Sequence, residues 1–197
     1  MRKARSCSIS PRPIWSIAEG DRQNLSLNDL FLRATALALV RVPQVNAHVS
    51  DTGITRFDQV DIAMAVAVED GLLAPLLRNV AQKRVTVIAA EARELPEAAR
   101  ARDLTAGMLD GATFTLSNLG MYGVRSFDAI VTAPQAATLA LGGTQRVAVE
   151  TAEGGVAFAT DIRATLSADH RAIDGALAAQ FLAALRDLLE TPLSLMH

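Results

Sequence analysis

The segment Ser167-Ala168-Asp169-His170-Arg171-Ala172-Ile173-Asp174-Gly175 carries a histidine, a carboxylate four residues later and a glycine directly after that. Imidazole changes charge near neutral pH, which makes His170 a candidate general base. Gly175 permits a tight turn into whatever follows. The same spacing also suits a loop histidine followed by Asp174 as an ordinary helix cap, and spacing alone leaves both readings open. A second segment, Thr113-Phe114-Thr115-Leu116-Ser117-Asn118-Leu119-Gly120-Met121-Tyr122-Gly123, ends an apolar run with a hydroxyl, an amide and two glycines. Ser117 can donate a hydrogen bond to an oxyanion, and the glycines allow a ligand close to the backbone. The alternative is a turn in which Ser117 and Asn118 bond to nearby backbone. No Gly-x-Ser-x-Gly occurs, so a nucleophile elbow is excluded. Glu69-Asp70-Gly71-Leu72-Leu73-Ala74-Pro75 is a turn with little chemical specificity of its own.

These segments need a scaffold, and hydrophobic periodicity supplies one. Ser26 with Asp29 three residues on reads as a capping box, and Leu27, Leu30, Phe31, Ala34, Leu37 and Ala38 recur at helical spacing until Pro43. Asn46–Val49 and Ile54–Phe57 flank a Ser-Asp-Thr-Gly turn and read as a hairpin. Val60–Val68 is apolar on both faces after Asp61, the mark of a strand interior to a sheet. Leu72–Leu77 is a further extended stretch, interrupted by Pro75. Val85–Leu104 is helical in composition, with Pro96 expected to kink or divide it. Thr113–Ser117, Ala136–Leu141, Val147–Thr151 and Val156–Leu166 read as strands, and Gly175–Glu190 as a closing amphipathic helix that ends before Pro192. Residues 1–24 show no sustained period apart from a short strand at Ile14–Glu19. The chain therefore reads as an irregular segment, 1–24, and one α/β domain, 25–197, with a mainly β second half.

Composition narrows the partners. Half of the 197 residues are apolar and only 20% are charged, enough for a substantial core; the formal net charge of −2 offers no basic field for nucleic acid. A single cysteine, Cys7, and three scattered histidines (His48, His170, His197) offer no disulfide framework and no metal-ligand spacing. No apolar run approaches a membrane span. Residues 1–18 are basic and acid-free, which suits a transit peptide or, the preferred reading, an altered start of a cytoplasmic protein. The expected location is the cytoplasm, or the mitochondrial matrix in a eukaryote.

Taken together, LSLNDLFLRATALALVRVPQVNA, VDIAMAVAVEDGLLAPLLRN, GATFTLSNLGMYGVRSFDAIVTAPQAATLALGG and LSADHRAIDGALAAQFLAALRDLLETP resemble, in order, the catalytic domain of the acyltransferase component of 2-oxo-acid dehydrogenase complexes. The resemblance runs from about Leu25 to the C-terminus and implies the chloramphenicol acetyltransferase-like fold, a two-layer arrangement of a mixed β-sheet with helices. It implies transfer of an acyl group, with acetyl the expected one, between coenzyme A and a dihydrolipoyl group. His170 is then the general base, Ser117 the oxyanion donor and Asp174 the residue that holds the His170 loop. Asn118 lines a tunnel that coenzyme A and the lipoyl group enter from opposite ends. Coenzyme A is a substrate, the lipoyl group sits on a separate domain or chain, and no metal is required.

The resemblance further implies a homotrimer, with His and Asp from one subunit and Ser from the next, and a larger core built through an apolar tail. Leu193, Leu195 and Met196 are candidates for that tail or, equally, for a segment that caps the core of this chain. A full-length acyltransferase and other subunits of a dehydrogenase complex are the expected partners. The family domain usually begins with a helix, a strand and a second helix, compressed here into about two dozen residues with Pro11–Glu19 as a remnant of the strand. Such a loss is expected to expose apolar sheet surface. Two other functions suit that start and the missing lipoyl domain: a non-catalytic assembly subunit, and a free-standing acyltransferase acting on a small acceptor.

Overall fold

The computed structural model describes residues 2–9 (as backbone), 25–191 and Leu195. Among these, eight strands form one mixed sheet. Its order is β1 (Arg2–Ile9), β10 (Val156–Asp169), β8 (Ala137–Leu141), β7 (Phe114–Asn118), β4 (Ile62–Val68) and β5 (Gly71–Leu73). β6 (Leu76–Leu77) also pairs with β4, and β9 (Gln145–Glu150) with β10. β4, β7 and β8 run parallel to one another, whereas β10 is antiparallel to β8 and β1 to β10. A separate hairpin joins β2 (Ala47–Ser50) to β3 (Gly53–Arg56).

Alternation along the strands sorts residues onto two faces. Ile62 and Phe114 are paired, as are Met64, Leu116, Leu139 and Leu166 across four strands, and all belong to the main core. This face meets the helices; the rings of Phe114 and Phe181 lie 5.8 Å apart. The opposite face carries Ala63, Thr115, Thr138 and Ser167 in one row and Ala65, Ser117, Ala140 and Thr165 in the next.

Among the described residues, three α-helices form the second layer: α1 (Leu27–Arg41), α2 (Val85–Ala101) and α3 (Gly175–Glu190). α1 packs against both of the others. It begins with the expected capping box, Ser26 and Asp29 each bonding the backbone of the other. Rather than the single apolar face that its periodicity suggests, residues 29–36 are buried without a break, because α1 is enclosed by its neighbours. Arg33 is drawn into this interior, where its guanidinium donates to the carbonyl of Ala81 at 2.8 Å and desolvation lowers its pKa.

Two expectations need correction. Pro96 does not divide α2, which runs unbroken from Val85 to Ala101. The bond that Pro96 cannot donate is lost, but buried Ile88 and Leu95 before it and Ala99 after it hold both halves of the helix in place. The irregular reading of residues 1–24 fails at residues 2–9, which form β1 along the outer edge of β10. The expected strand at Ile14–Glu19 and the remnant at Pro11–Glu19 lie outside the described residues. Of the apolar tail, Leu195 is buried in the core of this same chain, while Leu193 and Met196 lie outside the described residues. No helix among the described residues is long and apolar enough to cross a membrane.

Candidate active site

His170 occupies the turn between β10 and α3. Its backbone is fixed from both sides. The Asp169 amide donates to the Ala136 carbonyl at 2.8 Å, and the Asp169 carbonyl accepts from Ala172 and Ile173 at 3.0 Å each. Ile173 is buried and anchors the turn, which leaves the imidazole of His170 exposed at its apex. Asp174 is the N-cap of α3, its Oδ1 accepting from the Leu177 amide at 2.8 Å. The helix-cap reading of Asp174 is therefore the geometry observed, and it fastens the chain directly behind the histidine.

Asp169 and Arg171 bracket His170. The Arg171 Nε and terminal nitrogen both reach the Asp169 carboxylate, the closest at 2.7 Å, and the Arg171 amide adds a further bond at 3.0 Å. The guanidinium bonds pull the Asp169 pKa down from 3.8 to about 2. A depressed pKa means the ionised carboxylate is the form that the folded state favours. Its contribution is complete above the ordinary value and is lost as pH falls toward about 2. The melting temperature of Asp169→Asn is expected to lie below that of the wild type by a constant margin above about pH 5, a margin that closes on further acidification. Parallel melting curves across that range test this, and a gap that persists at the acid end contradicts it.

Ser117 stands elsewhere, near the C-terminal end of β7. It is half-buried and lines a cavity of about 370 Å³ together with Met64, Leu116, Asn118, Arg100 and Tyr122. Among the described residues no hydrogen bond engages its hydroxyl, so the turn-forming alternative does not hold for Ser117. Asn118 differs: its Oδ1 accepts from the Gly120 amide at 2.9 Å, and its Nδ2 donates to Asn28 Oδ1 at 3.1 Å. Glycine is required next to this strand end. A Cβ on Gly142 would lie 2.0 Å from the Arg125 carbonyl oxygen, and one on Gly120 would lie 3.0 Å from the Gly143 Cα.

The two candidate groups do not meet within one chain. Ser117 is level with Ala140 on β8, and Ala140 with Thr165 on β10. His170 lies beyond Thr165 by five residues, roughly 17 Å along the strand, and two strands across, roughly 10 Å more. Hydrogen-bond reach is about 3 Å, so the two residues stand at opposite ends of the sheet, too far apart to act on one atom within a single chain.

The sequence between residues 15 and 197 matches the family model of the 2-oxoacid dehydrogenases acyltransferase (catalytic domain). The chain belongs to that family. A relative within it, the dihydrolipoyllysine-residue acetyltransferase component of the pyruvate dehydrogenase complex of Rickettsia bellii, is 40% identical over 177 residues, covering 90% of this chain and 42% of that protein. The chain thus spans about two-fifths of the length of such a relative. Its fold is that of the family as well. The dihydrolipoamide acetyltransferase of Azotobacter vinelandii superposes with a TM-score of 0.91 at 34% identity, covering 100% of this chain and 84% of that one. The cubic core of the pyruvate dehydrogenase multienzyme complex superposes with 0.92 at 33%, with the same coverage. Chloramphenicol acetyltransferase shares the fold alone, at a TM-score of 0.65 and 16% identity over 95% of this chain and 88% of that one.

Sequence reasoning missed the cavity residues Asn28, Arg100 and Tyr122, which come from three separate segments. Only Asn28 carried a local signal, as an amide in the first turn of a helix whose cap was already satisfied.

Proposed function

We propose that the chain is the catalytic domain, residues 25–197, of an acyltransferase that moves an acetyl group between coenzyme A and a dihydrolipoyl group carried on another domain or chain. The observation that carries this reading is the placement of an exposed, loop-fixed His170 and a cavity-facing Ser117 at opposite ends of one sheet, a division that a neighbouring copy can complete. Two copies brought together head to tail join the His170 end of one to the Ser117 end of the next, and three such contacts close a ring. The A. vinelandii enzyme, in which a serine, a histidine and an asparagine have been examined for their roles in catalysis, supports the same set. Its histidine and asparagine are four residues apart, as are His170 and Asp174, with a carboxylate here in place of the amide.

In this reading His170 takes the proton from the attacking thiol, and the thiolate forms a bond to the thioester carbon. Ser117 donates to the oxyanion of the tetrahedral intermediate. As the intermediate collapses, the carbon–sulfur bond of the donor breaks and its thiolate recovers the proton from the imidazolium. Asp174 takes no proton; it fixes the start of α3 and with it the His170 turn. Ser117 and Asn118 form part of the wall along which coenzyme A and the lipoyl arm approach each other. The cubic core among the structural relatives supports a trimer as the building block of a larger core. Purified protein is expected to transfer acetyl from acetyl-CoA to free dihydrolipoamide. Thiol-dependent release of coenzyme A checks this, and an oligomeric protein without such release would overturn the reading.

A further inference from the structure

Among the described residues the Ser117 hydroxyl has no hydrogen bond that fixes its direction, yet oxyanion stabilisation requires a donor held within about 0.5 Å of its working position. The next residue supplies the constraint. Asn118 points to the helix face of the sheet and Ser117 to the other, since consecutive strand residues alternate. Asn118 is held at both ends, by the Gly120 amide at 2.9 Å and by Asn28 Oδ1 at 3.1 Å. The first of these is local and closes the turn after the strand. The second crosses 90 positions of sequence to the first turn of α1, which is itself fixed by the Ser26–Asp29 capping box. Asn28 Nδ2 rests on Met64 Sδ at 3.9 Å, on the strand paired with β7.

The Asn28–Asn118 pair also lines two cavities at once, the one beside Ser117 and another of about 200 Å³ against Gly120, Gly142 and Gly143. It therefore stands as a wall between them. Rotation of the end of β7 would move Ser117, and the bond from Asn118 to the rigid start of α1 opposes that rotation.

We propose that Asn28 is a positioning residue that acts on Ser117 through Asn118. This rests on Ser117 being the oxyanion donor, and the test separates the two claims. Acetyl transfer is measured for the wild type, Asn28→Ala, Asn28→Asp, Ser117→Ala and the Asn28→Ala/Ser117→Ala double variant. Asn28→Ala is expected to lower kcat on the order of tenfold with KM for both substrates changed by less than about twofold, the pattern of an interaction expressed in the transition state. Asn28→Asp keeps an oxygen to accept from Asn118 at a helix start that favours negative charge, and is expected to recover most of the loss. In the Ser117→Ala background the Asn28→Ala change is expected to cost nothing further, because the group it positions is gone. Asn28→Leu, which keeps bulk against Met64 but accepts no bond, serves if the alanine variant does not fold and should match its expected kcat. Equal losses in both backgrounds, or an aspartate variant as slow as the alanine one, would overturn the positioning role. A Ser117→Ala enzyme at the wild-type rate, or a wild type without transfer, would instead remove the reading on which it rests.

Discussion

Replacement of His170 by alanine is expected to reduce acetyl transfer to the background rate, a loss on the order of 10²–10⁴ for removal of a general base. Neither flanking carboxylate can take over the proton. Asp169 is held as a weak base by Arg171, with its pKa near 2, and the Asp174 carboxylate is engaged in capping α3. The fold should be untouched, because the imidazole is exposed and makes no hydrogen bond among the described residues. The variant should therefore melt with the wild type while it fails to turn over. Thermal melting beside the transfer assay checks both halves, and a His170→Ala enzyme at the wild-type rate would end the proposed mechanism.

Ser117→Ala carries the second large effect. Loss of a single oxyanion donor costs roughly 10²–10³ in kcat. Alanine fits the site without strain, since the residues level with Ser117 on both neighbouring strands, Ala65 and Ala140, are already alanines. The loss should fall on kcat, with coenzyme A and dihydrolipoamide still bound, because the hydroxyl acts on charge that exists only in the intermediate. Steady-state kinetics with each substrate varied in turn would reveal it. A rise in KM at constant kcat would make Ser117 a binding group and leave the oxyanion without its donor.

Elements whose signal is local were legible in the sequence. The capping box at Ser26 and the bounds of Gly175–Glu190 are as read, and the strand read at Val60–Val68, apolar on both faces after Asp61, is present as Ile62–Val68, interior to the sheet between β7 and β5. The strand at residues 2–9 was not legible. Its sequence, RKARSCSI, has no apolar alternation, and pairing with the long β10 selects its conformation. Pro96 misled for a related reason: a local penalty of about 3 kcal/mol is outweighed by burial on both sides of it. In the candidate site, His170, Asp174 and Ser117 were legible as residue types in suggestive places. Their relation was not. The separation of His170 from Ser117 depends on strand order and register, and the bond from Asn118 to Asn28 on a contact between residues 90 positions apart.

Pairing of the His170 of one subunit with the Ser117 of another is the expected basis of catalysis. It is tested most directly by mixing the two inactive variants. His170→Ala and Ser117→Ala chains are co-expressed in equal amounts, and the mixed oligomers are assayed for acetyl transfer. Each contact between a chain that keeps His170 and a neighbour that keeps Ser117 restores one complete site, so random mixing in a ring should return about one quarter of the wild-type activity. Activity no higher than the sum of the two variants alone, in oligomers shown to contain both chains, would contradict that pairing.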